Sequence, residues 1–116
     1  MTGAEAALVA AITPGPMREQ VLAWTALNSG TGNLAGLERM AAELAAAFAV
    51  LPGTVALVEP EPVEATDAEG EAQPLAHGRH LVVRVRPEAE RRVLLTGHMD
   101  TVFAAEHRLV VVVVDD

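Results

Sequence analysis

The run Val93-Leu94-Leu95, which leads into Thr96-Gly97-His98-Met99-Asp100-Thr101-Val102-Phe103, constrains the fold of this chain more than any other stretch. Consecutive branched apolar residues suit an extended segment buried on both faces, and a glycine behind them marks where such a segment stops. A strand over 92–97 is therefore predicted inside a sheet. Side chains alternate along an extended chain, so His98 and Asp100 share a face with Cα atoms about 6.6 to 6.8 Å apart, and Met99 turns into the core. An imidazole and a carboxylate at the carboxyl end of a central strand, where open α/β sheets place their ligands, make a candidate site. A plain hydrogen-bonded turn after a strand would use the same two residues, and the spacing by itself does not separate the two readings.

The core has to be built from Ala, Val and Leu, because aromatic residues are 3% of a chain that is 51% hydrophobic. The 116 residues leave room for one modest domain, 1–116, burying about two-thirds of its unfolded surface. Eight basic against sixteen acidic residues give a net charge of -8, which argues against nucleic acid and against an anionic membrane as partners. With no cysteine, any metal must be held by His, Asp or Glu. The apolar run Ala6 to Ile12 has no basic stretch before it and is too short to span a bilayer, so a cytoplasmic protein is expected.

In chain order, Ala4 to Ile12 suits a short helix stopped by Thr13-Pro14-Gly15-Pro16, and a second helix is expected from Pro16 to about Leu27. Met17, Val21 and Trp24 would form its core stripe. Asn28 to Gly32 is a turn, after which Asn33 caps a helix reaching about Leu51, with Leu34, Leu37, Met40, Ala41, Leu44 and Phe48 on one buried face. A glycine-rich turn before a helix is also a phosphate cradle in some proteins, but no Gly-Lys-Ser/Thr follows here. A strand is expected over Thr54 to Glu59. The six acidic residues from Glu59 to Glu71 read as a solvated connection, since their spacing does not follow that of a calcium loop. His77 and His80, three apart at the entrance to a strand over Leu81 to Arg86, fall on opposite faces and read as surface histidines. That strand is expected to form an antiparallel hairpin with 92–97. Val110 to Val114 is either a buried strand or an aggregation-prone edge.

Gly97-His98-Met99-Asp100-Thr101-Val102-Phe103 resembles the first metal-binding motif of the zinc-dependent exopeptidase and deacylase family, which includes glutamate carboxypeptidase, acetylornithine deacetylase, succinyl-diaminopimelate desuccinylase and aminoacylase. Asn28-Ser29-Gly30-Thr31-Gly32-Asn33-Leu34-Ala35-Gly36-Leu37 resembles the segment between the first two helices of the glutamate carboxypeptidase-like branch. The resemblance runs from about Met17 to Phe103. It implies an α/β fold with amino-terminal helices packed on a mixed sheet, an incomplete portion of a catalytic domain with no dimerisation domain. It also implies a small peptide or N-acyl amino acid substrate whose amide is hydrolysed by water activated on two zinc ions. Carried over by position, His98 is a zinc ligand, Asp100 is the catalytic-site residue that fixes the His98 ring, and Asn28 to Asn33 shape the helix junction. The family's bridging Asp, Glu-Glu pair and remaining ligands have no counterpart here, so the chain is expected to be inactive alone. The alternative is a non-catalytic α/β module or truncated remnant that associates through a strand edge.

Overall fold

The computed structural model describes residues 1–107; the valine run 110–114 lies outside them. Three helices come first, each started by a local signal. In α1 (Gly3–Ala10) the Thr2 hydroxyl accepts from the Glu5 amide while the Glu5 carboxylate accepts from the Thr2 amide, a reciprocal cap of the free amides at the helix start. Proline opens α2 (Pro14–Thr25), two residues earlier than expected, because Pro14 suits the first turn as well as Pro16 does. The Asn33 side chain caps α3 (Leu34–Phe48) by accepting from the Gly36 amide at 3.0 Å.

Four strands follow: β1 (Gly53–Val58), β2 (Val63–Thr66), β3 (Ala72–Leu75) and β4 (His80–Val85). They form two separate antiparallel pairs, β1 with β4 and β2 with β3, so the described residues combine helices and strands but hold two small antiparallel sheets in place of the expected mixed sheet. The β1–β4 register sets Val55 opposite Val83 and Leu57 opposite Leu81, an apolar face against which α3 packs. The centre of that packing is small. Among the described residues, Leu37, Met40 and Ala41 are the buried hydrophobic ones, all on α3.

Several expectations fail here, for one shared reason. The segment 92–97 is not a strand, and Val93, Leu94 and Leu95 are 85%, 86% and 89% exposed. β4 pairs with β1 and not with 92–97. A doubly buried strand needs an apolar layer on each side, and neither α1 nor α2 buries a residue; Met17 and Val21, the expected core stripe of α2, are both exposed. β4 ends at Val85, and the residue after it departs from extended backbone. Arg86 has φ 48°, in the left-handed region, and Pro87 follows it. The accessible surface of 9592 Å² exceeds the roughly 6,000 Å² of a compact monomer of this mass.

The acidic connection is exposed throughout, apart from half-buried Pro60 and Asp67, yet it carries the β2–β3 hairpin. Its turn is organised by one side chain: Asp67 Oδ1 accepts from the amides of Glu69 and Glu71 at 3.1 and 2.8 Å, and Oδ2 from Gln73 Nε2 at 3.1 Å. Gly70, with φ 86°, closes it. Among the described residues no helix is long and apolar enough to cross a membrane.

Candidate functional site

The site is assembled where two distant stretches cross. Asn28, just after α2, is the bracket: its Oδ1 accepts from the Gly30 amide at 2.9 Å, and its Nδ2 donates to the carbonyls of Ala104 and His107, each at 2.9 Å. Asn33 Nδ2 returns a bond to the Asn28 carbonyl at 2.9 Å, so the turn and the cap of α3 are tied together. Gly30 and Thr101 then pair as a short parallel bridge, the Thr31 amide donating to the Thr101 carbonyl and the Thr101 amide to the Ser29 carbonyl, both at 2.9 Å. Glycine is required at the crossing, because a Cβ on Gly30 would run into the Phe103 carbonyl oxygen and one on Gly36 into that of Asn28.

This crossing delivers the side chains. The Thr31 hydroxyl lies 2.7 Å from Asp100 Oδ2 and 3.1 Å from the Thr101 carbonyl oxygen. His98 Nδ1 lies 2.9 Å from the Asp100 carbonyl oxygen and 3.1 Å from Asp100 Oδ1. Both of those oxygens are acceptors, so in the neutral form of the ring Nδ1 carries the proton and Nε2 the lone pair. The His98 side chain is 85% exposed and that of Asp100 37%, which leaves Nε2 open to a ligand. Thr31's hydrogen bond, above all, holds the Asp100 carboxyl below its ordinary value of 3.8; partial burial opposes it, and the residue's own amide and His98 add to it.

His98 and Asp100 thus do come together, as the sequence suggests, but through the hydrogen bonds of the His98 ring in an irregular segment rather than through strand alternation. Met99 is half-buried and lines the same open cleft as His98 and Asp100 instead of turning into the core, because no strand fixes its direction. The cleft, about 670 Å³ in volume, also borders His77, His80 and the foot of α3 at Leu37. His80 is exposed, as expected of a surface histidine; His77 is half-buried, with its Nε2 buried and unpaired. Arg79 between them is tied to Glu38 of α3 by a two-pronged ion pair. Thr31 belongs to the stretch expected only to shape the helix junction, and the structure brings it to the side-chain cluster. Its contact with Asp100 spans 69 positions, and no local spacing signals it.

Catalytic zinc is held by three protein donors. His98 Nε2 offers one, and among the described residues no three His, Asp or Glu side chains converge on a common point. The arrangement fits a single ligand with its orienting carboxylate and not a complete metal centre. No family model matches the chain, and neither a curated protein nor a solved structure matches it.

Proposed function

We propose that these residues are the amino-terminal part of a zinc-dependent amide hydrolase, glutamate carboxypeptidase-like, acting on a peptide or an N-acyl amino acid. The observation that carries the reading is the crossing itself. The two stretches that resemble the family's motifs, 28–37 and 97–103, meet at Gly30 and Thr101, and between them they shape one small site of Thr31, Asp100 and His98. His98 is the metal donor this stretch supplies, and Asp100 sets its tautomer and orientation. The other donors and the proton-accepting Glu have no counterpart among the described residues, so the chain by itself hydrolyses nothing. The absence of cysteine suits a reducing cytoplasm.

The test is to join the chain to the catalytic remainder of a related enzyme and measure zinc content and amide hydrolysis. His98→Ala should lower both together, and Asp100→Asn should cost about 10- to 100-fold in affinity or activity. A joined enzyme that keeps its zinc and its rate without the His98 imidazole would refute the assignment. The exposure of Val93 to Leu95 favours a second reading, a non-catalytic module that associates through this segment. Under that reading the chain self-associates with rising concentration, Leu94→Lys abolishes the association, and His98→Ala leaves it unchanged.

A further inference from the structure

We propose that Thr31 is a positioning residue that locks the Asp100 carboxylate, and through it holds His98 in the tautomer that carries the proton on Nδ1 and leaves the Nε2 lone pair free. The inference rests on the hydrolase reading only for what Nε2 then does.

A carboxylate on a single methylene turns easily, because the terminal torsion of Asp has broad, shallow wells. Something must hold it if one oxygen is to stay on an imidazole. Thr31 is suited to this in three ways. Its hydroxyl has one proton and two acceptors within reach; Asp100 Oδ2 at 2.7 Å is both nearer than the Thr101 carbonyl at 3.1 Å and ionised, so the proton belongs to the carboxylate. With Oδ2 held, Oδ1 stays 3.1 Å from His98 Nδ1. Thr31 is itself fixed, since its amide donates to the Thr101 carbonyl at 2.9 Å and a β-branched side chain has little freedom about its first torsion. The orientation of His98 is therefore set from across the crossing, by a residue of the other stretch.

The experiment reads the ring directly and uses neither zinc nor substrate. In uniformly ¹⁵N-labelled chain at alkaline pH, long-range proton–nitrogen correlations of the His98 ring report which nitrogen bears the proton. The wild type should show chiefly Nδ1–H. Thr31→Val, close in shape but without the donor, should raise the ratio of the Nε2–H form by about threefold, the effect of losing part of one hydrogen bond. The change is partial because the Asp100 main-chain oxygen, 2.9 Å from Nδ1, still accepts. Thr31→Ser, which keeps the hydroxyl, should restore the wild-type ratio. Protection of the Thr101 amide from exchange shows that the crossing persists; if valine unseats it, Thr31→Ala takes its place in the comparison. An unchanged ratio in a variant that retains the crossing overturns the proposal, as does a wild type that shows chiefly Nε2–H. Either result leaves the hydrolase reading standing, and a joined enzyme without activity leaves the role of Thr31 standing.

Discussion

Gly30→Ala should open the crossing and leave the helices formed. An ideal Cβ at Gly30 meets the Phe103 carbonyl oxygen well inside the 3.0 Å limit that real Cβ contacts respect, and the obstacle is main chain, which has no flexible end to swing aside. The two strands of the bridge must therefore part. At stake are the two bridge bonds between Ser29–Thr31 and Thr101, and the two from Asn28 Nδ2 to Ala104 and His107, all at 2.9 Å. At about 0.5 to 1.5 kcal/mol each they amount to roughly 2 to 6 kcal/mol. Incomplete loss, and a gain of up to about 1 kcal/mol from a stiffer unfolded chain, leave a net cost of roughly 1 to 4 kcal/mol. Native-state hydrogen exchange measures it, because the Thr31 and Thr101 amides report the local opening. A cost of about 2 kcal/mol makes them exchange about 30-fold faster. Gly32→Ala, where a Cβ meets nothing within 4 Å, is the control and should stay within about 0.5 kcal/mol of the parent. If Gly30→Ala leaves both amides as protected as in the parent, the close approach of Gly30 to Phe103 is not what orders the site.

Three further outcomes are expected. Leu37 is 5% exposed at the packing centre of α3 on the β1–β4 sheet, so Leu37→Ala should cost about 2 to 4 kcal/mol in urea unfolding; a cost under about 0.5 kcal/mol would mean that this cluster is not the core. Leu94→Lys should change stability by no more than about 0.5 kcal/mol because Leu94 is 86% exposed, whereas a loss of about 2 kcal/mol or more would restore 92–97 to a buried sheet position. The Asp67 carboxyl lies below its ordinary 3.8, chiefly because the Glu71 amide donates to it. Its support of the β2–β3 turn is thus complete above that ordinary value and disappears as pH falls through the lower folded one. The Glu71 amide shift, followed down to about pH 2, should show this step and Asp67→Asn should remove it; an identical titration in the variant would sever the link between the carboxylate and the turn.

Much of the local structure was written in the sequence. Pro16 and Asn33 mark the starts of α2 and α3 to within two residues, because a helix satisfies its hydrogen bonds and caps within three or four residues; of the expected buried stripe of α3, Leu37, Met40 and Ala41 are buried, while Leu34 and Phe48 at its two ends are exposed. The alternation over Thr54 to Glu59 marks a strand for the same local reason, and β1 occupies Gly53–Val58. The pairing of His98 with Asp100 was legible as well, since two positions along the chain keep them within reach with or without a strand.

What tertiary structure alone decided was which distant partner each segment meets. Val93-Leu94-Leu95 has every mark of a buried strand, yet burial is a property of what covers it, and neither α1 nor α2 supplies a layer. Strand propensity identifies β4 as a strand but not its partner; the pairing with β1 in place of 92–97 depends on two apolar faces meeting under α3. The hairpin of β2 and β3 was hidden in an acidic stretch, where the ordering element is one carboxylate accepting from main-chain amides rather than any hydrophobic pattern. Thr31 is the clearest case. A hydroxyl in a turn has no distinguishing mark until the chain folds back and sets Asp100 Oδ2 2.7 Å away, because a hydrogen bond between residues 69 positions apart is created by the path of the backbone and by nothing in the neighbourhood of either residue.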